Sequence, residues 1–169
     1  MKKNLVLLGM MAVGKTTLGK IVAKTKGLEF IDTDKTIEQK NSMTINEIFK
    51  KKGEKFFRKE EENIILKSLK KRNCVVALGG GAFINKNIRE NVLKSAVSIW
   101  LDIDTKVLDK RTKWSKKRPL LVNDKRSKKI NELYAERKNI YKLADYKIKC
   151  DELSKEKVTR KIIEIYEKY

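Results

Sequence analysis

The stretch GMMAVGKT at residues 9 to 16 constrains this chain more than any other. It fits the pattern G-x-x-x-x-G-K-[ST], follows the apolar run NLVLLG and leads into the helical KTTLGKIVAKT. Ordinary residue frequencies give such a match about once in a hundred chains of this length, and the strand before it and helix after it make chance rarer still. The pattern answers a physical need: a tight turn whose backbone N–H groups ring a phosphate at the positive end of a helix. Ala12, Val13, Gly14, Lys15, Thr16 and Thr17 are expected to supply that ring. The Lys15 ammonium is expected to reach the β and γ oxygens of a nucleoside triphosphate, and the Thr16 hydroxyl to ligate Mg²⁺. A strand that feeds such a turn belongs in a sheet with ligands at its carboxyl edge.

Further short apolar or β-branched runs occur at LEFID (28–32), CVVALGG (74–80), VSIWLD (97–102) and YKIKC (146–150), with helical periodicity between and after them. Alternation of this kind predicts a three-layer α/β fold, a central five-stranded parallel sheet flanked by helices, in one domain over residues 1–169. A chain of 169 residues buries roughly 70% of its unfolded surface, enough for its own core. The single proline, Pro119, lies in KWSKKRPLLVND, whose composition interrupts the pattern and predicts a mobile loop. No apolar run approaches the ~20 residues of a membrane span, and MKKNLVLLG runs directly into the glycine-lysine turn, so a cytoplasmic protein is expected. Cys74 and Cys150 lack CxxC spacing and are expected to be buried free thiols.

The formal charge is +20, from 42 lysines and arginines against 22 acids. Lysines are spread along the whole chain without aromatic interleaving or a basic tail, so attraction of small anions is expected, rather than nucleic-acid binding. There is no histidine, which leaves a carboxylate as the expected general base and excludes histidine-dependent hydrolysis. A GTPase is disfavoured because NKNI at 85–88 lacks the aspartate of a guanine-reading NKxD and no DxxG follows a strand.

The strand ending VVALGGGAF offers no carboxylate to a metal ion. Asp102, which closes VSIWLD, and Asp32, which closes the second strand, are the candidates, and Asp102 with Asp104 equally suits a helix cap. If extended backbone persists through DTD, Asp32 and Asp34 project to one face roughly 6.6 Å apart, one toward metal and one toward an acceptor, although Asp34 also suits an N-cap. Gly79, Gly80 and Gly81 mark either a sharp turn or close approach of a ligand, and their place after a strand favours the second. Phe57, Glu61, Ile64 and Ser68 share a helical stripe with Arg58 three residues before Glu61, so the pair is either a salt bridge or a grip on a substrate carboxylate. Arg137 interrupts an apolar stripe of Ile130, Leu133 or Tyr134, Tyr141 and Ala144 and requires an anionic partner, from the protein or from a ligand. Arg118, in the proline loop, is placed to close on the γ-phosphate, and Arg111, one turn before the loop begins, to lie along the nucleotide.

Together GMMAVGKTT, DTD at 32–34, FR at 57–58 with Glu61, GGGA at 79–82, RPLL at 118–121 and LYAERKNIY at 133–141 resemble the shikimate kinase family in order and spacing, over essentially the whole chain. The resemblance implies a fold similar to nucleoside monophosphate kinases, with a substrate-binding segment at about 33–61 and a lid at about 112–124. It implies that Asp34, Arg58, Gly80 and Arg137 contact shikimate, that Arg118 contacts ATP, and that Thr16 and Asp32 serve Mg²⁺. The implied reaction phosphorylates shikimate with ATP as co-substrate, and the implied partners are these two small molecules, with the protein expected as a monomer. Two departures stand out: Ala12-Val13 replaces the family's usual Gly-Ser, and DELSK at 151–155 offers Lys155 where some members place a basic residue beside adenine.

Overall fold

The computed structural model describes residues 4–112 and 126–169. The elements run β1 (Asn4–Leu8), α1 (Lys15–Lys26), β2 (Glu29–Asp32), α2 (Thr33–Asn41), α3 (Ile45–Lys70), β3 (Cys74–Ala77), α4 (Lys86–Ser95), β4 (Ala96–Asp102), α5 (Thr105–Thr112), α6 (Arg126–Tyr141), β5 (Tyr146–Lys149) and α7 (Lys155–Tyr166), with a short 3₁₀ turn at Ala82–Ile84. The five strands form one sheet in the order β2-β3-β1-β4-β5, and every pairing is parallel. The expected α/β sheet is therefore present. Parallel strands need crossovers, and the helices supply them on the two faces of the sheet, which is why β1, β3 and β4 are buried along their whole length.

Local signals set the helix ends. Asp32 caps α2 by accepting from the Lys35 N–H at 3.2 Å. Thr44 and Glu47 form a reciprocal capping box at the start of α3. Gly27, in the left-handed region at φ 64°, closes α1. Among the expected strand ends that move, β1 stops at Leu8 and β3 at Ala77, so Gly9 and the glycine triplet lie beyond the ladder. The reason is that the backbone must leave the sheet there to make room for what converges on it.

The main core lies between the sheet and its helices, around Leu5, Leu7, Val76, Ile99 and Trp100. A separate cluster of Ile37, Ile48, Phe57 and Ile64 joins α2 to α3. Cys74 and Cys150 are buried free thiols. Among the described residues, no helix is long and apolar enough to cross a membrane. The proline loop and most of the expected lid, including Arg118, lie outside the described residues.

Candidate active site

The phosphate loop joins β1 to α1 at the carboxyl edge of the central strand. Gly9 has φ 135°, and a Cβ on it would collide with the Leu101 carbonyl oxygen, so only glycine lets the loop leave the sheet here. Ala12 is left-handed at φ 59°, a conformation that glycine takes freely and that costs an alanine about 1 kcal/mol. Val13 is buried in the main core, where a serine hydroxyl would need a partner. The departure from Gly-Ser thus exchanges a little backbone strain for apolar packing. Lys15 folds back over the loop, its Nζ donating to the Gly9 and Met10 carbonyls at 2.8 Å each. Arg111 leans on the same loop from α5, its Nη1 3.3 Å from the Ala12 carbonyl.

The Thr16 hydroxyl donates to Asp32 Oδ2 at 2.6 Å. A hydroxyl and a carboxylate side by side at a sheet edge form the hard-oxygen donor set that suits Mg²⁺, which takes its remaining ligands from water and substrate phosphates. Among the described residues, no group of three or more acidic, cysteine or histidine side chains is arranged to hold a metal ion. The alternative, Asp102, is engaged elsewhere: it accepts from the Tyr134 hydroxyl at 2.9 Å and pairs with Lys147 at 2.8 Å. Asp104 alone meets the capping expectation, accepting from the Lys106 N–H at 2.7 Å.

The extended reading of DTD is corrected. The helix begins at Thr33, so Asp34 sits in the first turn of α2 rather than on a strand. The cause is Asp32 itself, whose carboxylate caps the helix and turns the chain one residue early. The capping role considered for Asp34 therefore belongs to Asp32. The change of geometry brings Asp34 against the glycine triplet.

That triplet is a floor for charged side chains. A Cβ on Gly79 would lie 2.6 Å from Asp34 Oδ1 and 2.8 Å from Glu61 Oε1, and one on Gly81 would lie 2.9 Å from Arg58 Nη1. Arg137 Nη1 would be 3.6 Å from a Cβ on Gly80. Close approach is what the glycines permit, and the groups that approach them are the protein's own acids and arginines rather than the ligand expected from the sequence. Arg58 donates to Glu61 Oε2 at 2.8 Å and reaches back to Glu54 at 3.2 Å, a contact absent from the sequence reading. Burial lowers the Arg58 pKa, but Glu61 and Glu54 outweigh it and the net shift is upward. Glu61 is 2% exposed, and its pKa is pushed up by burial, against the pull of Arg58 and Arg137, with Asp34 adding to the rise.

Two buried hydroxyls escaped the sequence reading as site residues. Thr33 accepts from the Gly79 N–H at 3.0 Å and donates to the Ala77 carbonyl at 3.2 Å. Tyr141 donates to the Gly80 carbonyl, and burial raises its pKa to about 12. The only signal for them was position, between two aspartates and on the Arg137 stripe.

One cavity of about 510 Å³ takes in Lys15, Thr16, Asp34, Arg58, Glu61 and Arg137. Lys155, by contrast, begins α7 and lines a different groove with Ile21 and Thr159.

A phosphate loop at the sheet's carboxyl edge, opening into a cavity with paired arginines and carboxylates, defines a nucleotide-dependent small-molecule kinase of the P-loop class. A family model described as shikimate kinase matches residues 11–167. A shikimate kinase of Caldanaerobacter subterraneus subsp. tengcongensis is 40% identical over 164 residues, covering 97% of this chain and 96% of that one. Among solved structures, the shikimate kinase of Acinetobacter baumannii in complex with shikimate superposes with a TM-score of 0.95 at 31% identity, covering 99% of this chain and 94% of that one. The Aquifex aeolicus shikimate kinase superposes at 0.85 with 33% identity, over 97% and 96%. The chain belongs to the shikimate kinase family.

Proposed function

We propose that this protein transfers the γ-phosphoryl group of ATP to the 3-hydroxyl of shikimate, giving ADP and 3-phosphoshikimate on the route to chorismate and the aromatic amino acids. The observation that carries the reading is the single cavity of about 510 Å³ that joins the phosphate loop to Asp34, Arg58, Glu61 and Arg137. Two guanidiniums in one cavity suit an acceptor that carries a carboxylate, and Glu61 holds Arg58 in position for it. Asp34 orients the attacking hydroxyl and takes its proton late in the transfer, in a site with no histidine to do so.

The N–H groups of the loop from Ala12 to Thr17 hold the β-phosphate, and Lys15 swings from its loop carbonyls onto the β and γ oxygens. Thr16 and Asp32 would hold Mg²⁺, which when bound offsets charge on the β and γ phosphates. Gly79, Gly80 and Gly81 bring main chain against the acceptor, while Arg111 and Arg118 serve the nucleotide side. We read the enzyme as a cytoplasmic monomer of one domain, with residues 33–61 binding the acceptor and 112–124 acting as the lid.

A coupled ADP-release assay with shikimate, gluconate, AMP or a short oligonucleotide tests the reading. ADP release that depends on shikimate alone is expected, and Asp34→Asn is expected to lower kcat at least about a hundredfold with little change in the KM for ATP. Turnover with gluconate or AMP and none with shikimate would overturn the function; near-normal turnover by Asp34→Asn would remove Asp34 from the proton transfer.

A further inference from the structure

The glycine triplet poses a mechanical problem. It seats four charged side chains that approach it closely, yet it has no side chains of its own with which to be anchored. Its position can be set only through its main chain. Two elements do this with a hydroxyl each. Thr33, at the start of α2 and 0% exposed, holds the Gly79 N–H and the Ala77 carbonyl. Tyr141, at the end of α6 and 1% exposed, donates to the Gly80 carbonyl while its hydroxyl lies 3.9 Å from Met10 Sδ in the phosphate loop. The triplet also abuts that loop directly: a Cβ on Gly80 would lie 3.4 Å from the Met11 nitrogen and 3.8 Å from the Gly9 oxygen.

We propose that the Thr33 and Tyr141 hydroxyls are positioning residues, a two-point clamp that fixes the Gly79–Gly81 floor, and through it Asp34, Arg58, Glu61 and Arg137, in register with the phosphate loop. The proposal rests on the reading of this cavity as the acceptor site. Ordinary core packing does not account for the pair. Valine and phenylalanine fill the same volumes without a buried hydroxyl to satisfy, so the hydroxyls are present for their bonds. Both Thr33 bonds and the Tyr141 bond to Gly80 end on main-chain atoms in or next to one segment, the Tyr141 hydroxyl meeting the Arg137 side chain as well, and in-line transfer is sensitive to displacements of about 1 Å at its reacting groups.

Thr33→Val and Tyr141→Phe test the clamp. Each is expected to raise the KM for shikimate, and its Kd measured without nucleotide, about tenfold, and to leave the KM for ATP within about twofold. Amide exchange at Gly79 and Ala82 is expected to quicken about tenfold in both variants, with β1 unchanged. Trp100→Phe, which trims the ring packed 5.8 Å from Tyr141 but keeps the hydroxyl, is the packing control and leaves the shikimate KM within about twofold. If shikimate constants stay at the wild-type value in both variants, or the ATP KM rises equally, or Trp100→Phe matches Tyr141→Phe, the clamp is wrong. Should the wild type fail to bind shikimate, the functional reading falls instead, and unchanged exchange at Gly79 and Ala82 would separately overturn the clamp. If Tyr141→Phe does not fold, Thr33→Val decides by the same measurements.

Discussion

Glu61 is an almost fully buried acid, held by Arg58 and pressed against the position a Gly79 side chain would take. Its pKa is raised above the ordinary 4.5, chiefly by burial. The folded protein therefore keeps this proton to a higher pH than the unfolded chain does. Glu61 contributes stability that is complete below its unfolded pKa and is lost as pH rises through the folded value. Glu61→Gln removes that titration. In thermal melts from about pH 4 to pH 8, the melting temperature of the wild type relative to Glu61→Gln is expected to fall as pH rises through the raised value and to level off above it. A difference independent of pH would sink the argument. At this scale the sequence was legible where a residue broke a pattern: Arg137 in an apolar stripe, Glu61 beside Phe57, Lys15 in its motif. Thr33 and Tyr141 broke none, because the bonds that tie them to the glycine triplet reach main-chain atoms 46 and 61 residues away in the chain.

Helix α3 shows what a single backbone position does to an element. Gly53 has φ 81° and ψ 167°, a region that is essentially glycine's own, and it divides the span into the part that carries Ile48 and the part that carries Phe57, Arg58 and Glu61. Nothing lies within 4 Å of a Cβ built there, so a substitution meets strain rather than a clash. Gly53→Ala is expected to cost about 2 kcal/mol and lower the melting temperature by roughly 4–8 °C, read by calorimetry. An unchanged melting temperature would mean that the chain straightens there at no cost. The neighbouring element, α2, was misread at its first turn for a related reason: DTD has the composition of a strand end and of a cap at once, and only the Asp32 bond to the Lys35 N–H decides between them.

The described residues form two hydrophobic cores. The sheet and its helices share the large one, while Ile37, Ile48, Phe57 and Ile64 give the α2–α3 segment a small one of its own. A segment stabilised by few buried contacts opens more readily than the sheet that carries it. Amides in residues 33–61 are expected to exchange faster than those of β1, β3 and β4, and shikimate is expected to slow the first group selectively. Uniform exchange across both groups would show one cooperative unit instead. The phosphate loop and Arg137 thus stand on elements of the large core, and Asp34, Arg58 and Glu61 on the α2–α3 segment, with the glycine triplet between them.

The sequence by itself determined the phosphate loop, the strand-helix alternation and the residue types of the site, because local patterns such as G-x-x-x-x-G-K-T and a charged residue on an apolar stripe carry their physical reasons within a few positions. Tertiary structure alone decided which carboxylate stands beside Thr16, because Asp32 and Asp102 both close strands and only the sheet order and their hydrogen bonds distinguish them. It also decided what stands against the three glycines. Their neighbours come from α2, α3 and α6, and a close approach between distant segments leaves no mark in either one beyond the side chain that is missing.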